Sequence, residues 1–176
     1  MPRTAPAIPT EVPGNFWTAA LFMATVAAVG GWQINPPRFK GYSASAQAIA
    51  SSTTYVSLTL DSEYVDSDGG HSTVTNTSRY VCQVAGWYWV QGTASLPNGT
   101  ANRSIQIAIN GSNAPGTTLI AAASSGNSWA GIAGGLVQMN VNDFLEVQLW
   151  QNSGGSLNTN VTNGLQPTLT AVWLSS

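Results

Sequence analysis

Arg79-Tyr80-Val81-Cys82-Gln83-Val84-Ala85-Gly86-Trp87-Tyr88-Trp89-Val90 is the stretch on which the reading of the whole chain turns. Tyr80, Cys82 and Val84 alternate with Val81 and Gln83, the period of two that marks a strand with one face on a core. After Gly86 an aromatic run follows at the same period. Tyr88 must then point to one face of a sheet, and Trp87 and Trp89 to the other. Both faces carry large rings, so both are expected to be covered. The core of the domain covers one, and a second buried surface covers the other.

Outward from this stretch the same alternation recurs. It appears in Val56, Leu58 and Leu60, in Ile105, Ile107 and Ile109, in Leu145, Val147 and Leu149, and in Leu169, Ala171 and Trp173. Turn residues separate these runs, among them Asp68-Gly69-Gly70, Pro97-Asn98-Gly99, Asn110-Gly111 and Asn163-Gly164. About eight to ten short strands with regular turn signals read as an all-β, antiparallel sandwich or jelly roll. This head is expected to occupy residues 38–176. No fixed repeat period points to a solenoid or propeller.

Residues 1–37 read differently. The first fourteen hold four prolines, which give an extended arm that cannot pair as an inner strand. Asn15 is expected to cap a helix from Phe16 to Val29, with Gly30-Gly31 as its stop. A helix of about four turns is shorter than the ~20 apolar residues of a membrane span. The leader before it is long, Pro-rich and nearly without positive charge, unlike a signal peptide. An apolar helix that spans no membrane buries itself in protein. Phe16, Trp17, Leu21, Phe22 and Trp32, with the Pro36-Pro37 connector, are therefore the expected anchoring residues. They would pack against sister helices or a neighbouring subunit. Arm and helix (1–37) form one part and the head (38–176) the other.

Composition agrees with assembly. Only 7% of residues are charged, against about a quarter in ordinary domains. A surface so poor in long charged side chains suits burial in an oligomer or particle. A net charge of −2 and a pI near 5.0 argue against nucleic acid as a partner, which needs clustered Lys and Arg. Cys82 is the single cysteine, so the chain has no internal disulfide. Its place in an apolar run reads as a buried small hydrophobe.

Candidate chemistry concentrates in one loop. Asp61, Glu63, Asp66 and Asp68 lie within eight residues, and clustered carboxylates suit Ca2+. Thr77 stands where a calcium-binding loop of the EF-hand type needs Glu, so that form is excluded. The loop is either a solvated acidic surface or a weak cation site. Paired carboxylates also serve glycoside hydrolysis, but nothing else in the chain resembles a sugar-processing enzyme. His71, the single histidine, has no Gly-x-Ser-x-Gly partner for a triad. One His and one Cys cannot make a four-ligand zinc site within one chain, though three copies of His71 could meet on an axis. No catalytic residue and no cofactor is assigned, and the expectation is a protein that is not an enzyme.

The Arg79–Val90 run resembles the strand and Gly-aromatic-Tyr element of complement-type globular heads, which belong to the tumour-necrosis-factor-like jelly rolls. Arg103-Ser104-Ile105-Gln106-Ile107-Ala108-Ile109-Asn110-Gly111 is similar to the next element of that family, a strand ending in Asn-Gly. Phe144–Leu149 and Thr168–Leu174 fall where its last two strands would lie. Across the whole chain, Val12-Pro13-Gly14-Asn15-Phe16-Trp17, Asn35-Pro36-Pro37 and Leu60–His71 resemble short minor tail proteins of tailed bacteriophages. Cys82 and the Trp87-Tyr88-Trp89 triple depart from that plainer pattern. The resemblance implies a homotrimer with Trp87, Tyr88 and Trp89 in core or trimer contacts. It also implies a place on the virion surface beside other virion proteins, as a minor tail or fibre component. Capsid decoration is the alternative within that class. A module that binds a host-surface glycan or protein is the second alternative, with Tyr64 and Trp129 as its natural contact residues.

Overall fold

The computed structural model describes residues 4–7, 16, 18–99, 101–122 and 128–176. In chain order, α1 (Ala19–Phe22), a π-helical turn (Met23–Ala27) and α2 (Ala28–Ile34) form one continuous helix. The strands are β1 (Arg38–Tyr42), β2 (Ala48–Ile49), β3 (Ser52–Ser57), β4 (Ser62–Asp66), β5 (Tyr80–Val81), β6 (Gly86–Leu96) and β7 (Asn102–Ile109). They continue with β8 (Ser112–Asn113), β9 (Leu119–Ala122), β10 (Trp129–Met139), β11 (Phe144–Gln151), β12 (Leu157–Asn158) and β13 (Thr168–Ser175). The expected all-β antiparallel sandwich is present. Strands outnumber the expectation because β2, β5, β8 and β12 are two-residue pieces.

One sheet has the order β10-β6-β13-β1-β4, with every pairing antiparallel. The other runs β5-β11-β7, and β7 also pairs β8 and β9. The core lies between them. Phe39, Tyr88, Val90, Leu96, Leu169 and Ala171 line the first sheet's inner face, and Ile105, Ile107, Leu145, Val147 and Leu149 line the second's, all fully buried. Asn110 and Gly111 both have positive φ, 52° and 78°, the two-residue turn that matches strand twist in a hairpin. It joins β7 to β8.

The sheets pack closely at Gly92. A Cβ there would lie 2.6 Å from Val147 Cγ2 and 2.9 Å from Ile107 Cδ1, so only glycine lets β6 pass over β11 and β7 at this spacing. Gly92→Val is expected to destabilise the head by about 1–3 kcal/mol through overpacking, read as a lower urea midpoint at unchanged slope.

The helix differs from the sequence expectation at both ends. It begins at Ala19, where Thr18 Oγ1 accepts from Leu21 N at 3.1 Å; Asn15 and Trp17 lie outside the described residues. It also runs through Gly30 and Gly31 to Ile34, with Asn35 as its C-cap. Two glycines weaken a helix by about 1 kcal/mol each relative to alanine but do not forbid it. Pro36-Pro37 ends it outright. Nothing lies within 4 Å of a Cβ at either glycine. Gly30→Ala with Gly31→Ala is therefore expected to stabilise this helix by roughly 1–2 kcal/mol, visible as deeper 222 nm ellipticity and slower proteolysis before the head.

The helix joins the head where Trp32 meets Trp173 edge to face at 5.3 Å and Trp173 N donates to Pro37 O at 2.9 Å. Gly86 and Ser175 lie together at this same end. β6 runs away from it for eleven residues, about 33 Å of extended chain. Leu96 and the loops after it therefore mark the far end of the sandwich.

Candidate functional site

The outer face of the five-stranded sheet is the feature the core does not explain. In β6 the pleat sends Tyr88 and Val90 inward, where they are 0% exposed. It sends Trp87 and Trp89 outward, 41% and 49% exposed. Trp89 stands opposite Leu136 of β10 on one side and Val172 of β13 on the other. Ile132, four pairs further along β10, lies opposite Thr93. Ile132 and Leu136 are 59% and 56% exposed. Trp89 with Leu136 and Val172, extended by Trp87, makes an apolar band across three strands, and Ile132 stands beyond the Gln91–Gly134 pair on the same face. The band's polar border is Gln91, Thr93 and Thr168, the last two joined Oγ1 to Oγ1 at 2.6 Å. Arg38 and Lys40, on β1 opposite Val172 and Thr170, bring the nearest cations.

The expected split of the Trp87-Tyr88-Trp89 triple is what the structure shows. The β10 residues were missed because glycines at 131, 134 and 135 broke the apolar pattern. The signal that could have found them is Ile132 and Leu136 falling on one parity, with Ala133 and Val137 on the other.

The inner partner is fixed. Tyr88 Oη donates to Val84 O at 2.6 Å, and the Cys82 thiol lies 3.6 Å from that hydroxyl. Burial pushes the Tyr88 phenol and the Cys82 thiol well up from their usual values, so Cys82 is an unreactive core thiol. β5 is shorter than the expected strand to Val84. The chain bends after Val81, and Cys82 instead binds the 142–143 turn through backbone bonds to Asn142 and Asp143.

The acidic loop does not gather a cation site. Asp61 accepts from Ala44 N at 2.6 Å and Ser45 N at 3.0 Å. Asp66 accepts from Gly70 N and His71 N. Glu63 lies 2.6 Å from His71 Nδ1. Asp68 is buried. Among the described residues no group of three or more potential ligands converges, and Asp61, Glu63 and Asp66 are each engaged by the loop they fold. His71 has its side chain fully buried, with Nε2 3.1 Å from Thr77 O, so it does not present itself to an axis.

Burial pushes the Asp61 carboxyl up, but hydrogen bonds from Ala44, Ser45 and Ser62 outweigh this and hold it below its usual range. Asn110 and Asn140 hold Asp143 down likewise. A depressed carboxyl contributes stability that is present above its unfolded value near pH 4. That contribution is lost as pH falls through the lower folded value. The melting temperature is expected to fall from about pH 4 downward, and Asp61→Asn with Asp143→Asn to flatten that fall; an unchanged slope in the double variant refutes the assignment.

Of the two expected surface contacts, Tyr64 is 62% exposed. It stacks on Tyr42 at 4.5 Å beneath the Lys40 ammonium at 5.0 Å. Trp129 is a correction. It is 7% exposed and folds over Gly131 toward Ile105, because its parity in β10 is the core parity. Of the anchoring residues, Phe16, Leu21 and Phe22 are 90%, 36% and 51% exposed, while Trp32, Pro36 and Pro37 seat the helix on the head.

No family model matches the chain, and no curated protein matches it. Solved structures do. Murine APRIL superposes with a TM-score of 0.59 at 8% identity, over 77% of this chain and 98% of that one. The globular domain of zebrafish complement 1qA superposes with a TM-score of 0.54 at 13% identity, over 78% and 97%. The head is a TNF/C1q-type jelly roll. At these identities the likeness speaks for the fold.

Proposed function

We propose that this chain is a structural protein of a bacteriophage virion. Its jelly-roll head assembles as a homotrimer through the outer face of the five-stranded sheet, and its N-terminal helix anchors the head to the particle as a minor tail or fibre component. The observation that carries the trimer is the Trp87–Trp89–Leu136 band, large apolar side chains exposed on neighbouring strands, with Ile132 further along the same outer face. Monomers rarely bare such a band, and tryptophan is the residue most enriched at the centres of protein interfaces.

The anchoring role rests on the helix. None of its described residues is buried, yet Phe22, Met23, Val26 and Ile34 are 48–82% exposed. No helix among the described residues is long and apolar enough to cross a membrane, and a protein surface is the cover this reading gives it. This reading gives the loop a structural part, since Asp61, Glu63, Asp66 and His71 are engaged in holding it. The virion assignment itself is supported by the resemblance of Val12–Trp17, Asn35–Pro37 and Leu60–His71 to tail proteins.

Light scattering on the purified chain tests the assembly: a mass of three chains supports it, and a monodisperse monomer overturns it. Immunogold labelling of particles tests the location. Label on the tail is expected, label on the shell reassigns the chain to capsid decoration, and unlabelled particles refute the virion reading.

A further inference from the structure

Arg103 is the largest fully buried side chain among the described residues, with 0% exposure. It lies at the start of β7, on the same parity as the core residues Ile105 and Ile107, and so points between the sheets at the end far from the helix. Its Nε, Nη1 and Nη2 are all buried, and none has a hydrogen-bond partner. The two residues opposite it explain why. Gln151 of β11 is paired with it, but the Gln151 Oε1 already accepts from Ser153 N at 2.7 Å, and its Nε2 donates to Ile49 O and Gly155 O. Ala121 of β9, on the other side, has only a methyl group to offer.

A guanidinium remains charged in a protein, and a buried, unpaired charge is among the costliest features a fold can carry. Burial pushes this group down from its ordinary value. The missing partner is an acceptor with negative charge. Gly99 shows where it can enter. This half-exposed residue in the loop after β6 sits so near that a Cβ on it would lie 2.8 Å from Arg103 Nη2. Arg103 Nη2 thus lies directly beneath this half-exposed glycine.

We infer that Arg103 is a carboxylate-binding site at the far end of the head, reached past Gly99. A carboxylate is planar and presents two oxygens at the spacing of the guanidinium fork, and it can take two parallel N–H bonds. The same group arrives either as a free small acid or as an acidic side chain or sugar acid on a partner that the far end meets. The site does not depend on the trimer or virion reading, because it is built within one chain.

The test is a thermal-shift and calorimetric titration of the full chain with sodium acetate, against sodium chloride at matched ionic strength. Acetate is expected to raise the melting temperature by several degrees where chloride does not, with saturable heat. Arg103→Met is expected to abolish the acetate response. It is also expected to melt no lower than the parent in chloride alone, because it replaces an unpaired charge with an apolar chain of similar length. Gly99→Ala leaves the strands intact but pushes its methyl against Nη2, and is expected to weaken acetate binding at least tenfold. Equal responses to acetate and chloride, or an undiminished acetate response in either variant, overturn the site. If Arg103→Met fails to fold, Gly99→Ala decides alone. If acetate binds as expected, the same titration with a short Glu-rich peptide separates the two sources. Tighter binding than acetate indicates a partner's acid, and equal or weaker binding a free one; the carboxylate site stands in either case.

Discussion

Trp89→Glu is expected to convert the proposed trimer into a monomer that keeps its β-sheet circular dichroism. Trp89 is half exposed and contributes nothing to the space between the sheets, so the fold does not need it. Its neighbours on both sides, Leu136 and Val172, are apolar, so a carboxylate there has no partner in a closed interface. Truncating a central interface tryptophan costs about 2 kcal/mol or more, and burying an unpaired charge adds to that. Three copies lose the contact at once. Roughly 6 kcal/mol per trimer corresponds to about four decades in the association constant, enough to dissociate a complex held at micromolar strength. Light scattering across a concentration series reads the result directly. Tyr64→Ala is the matched control. Tyr64 lies on β4, three strands from β6 across the sheet, and its loss is expected to leave the mass unchanged. A trimeric Trp89→Glu variant would remove this face from the interface and with it the argument for the trimer.

How far the sequence carried this reading depends on what each residue's signal was. The sandwich was legible because strand parity is a strict period of two. Once Tyr88 is inward, Trp87 and Trp89 can only be outward, and Ile105 and Ile107 fall into line with the same core. The tight turn at Asn110-Gly111 was legible for a similar reason, since few residues accept positive φ. Parity failed where glycine diluted it. In 129–139 the glycines hide the alternation, so the sequence alone puts Trp129 on the surface although its parity is inward, and gives no sign of Ile132 and Leu136. The helix end was misplaced because Gly30-Gly31 is a weak breaker, whereas Pro36-Pro37 is an absolute one. The acidic loop misled because sequence shows that carboxylates are close but not what each one accepts. Backbone N–H groups of Ala44, Ser45, Gly70 and His71 occupy two of them. Arg103 was invisible for the opposite reason. An arginine beside Asn102 and Ser104 reads as a polar strand start, and only packing reveals that every one of its nitrogens is buried.

Phe39→Ala is expected to be the most damaging single truncation in the head. Phe39 is 0% exposed, stacks on Tyr80 at 4.7 Å with the rings 15° apart, and meets the His71 ring at 5.0 Å. Deleting such a ring costs about 3–5 kcal/mol through lost transfer energy and the cavity left behind. Domains of this class have about 5–15 kcal/mol in total, so the loss is roughly a fifth or more of the margin, or roughly 6–20 °C in melting temperature. The site has little means of collapsing. Gly41, beside the ring, carries no side chain to swing inward. Tyr80 is pinned on β5 by Val81 N bonding to Gly70 O at 2.7 Å, and His71 by Glu63 and the Thr77 carbonyl. Phe39→Leu, which keeps most of the volume, is expected to cost under about 1.5 kcal/mol. The pair separates cavity formation from loss of the aromatic stack. Both must be measured at one protein concentration, because melting of an oligomer depends on it. A Phe39→Ala loss as small as that of Phe39→Leu would mean that β1 shifts to fill the hole. β1 is hydrogen-bonded on both edges, to β13 and to β4, and the Pro37 carbonyl just before it is held by Trp173 N; such a shift would have to break one of these ladders, which is why the full cavity cost is the expected result.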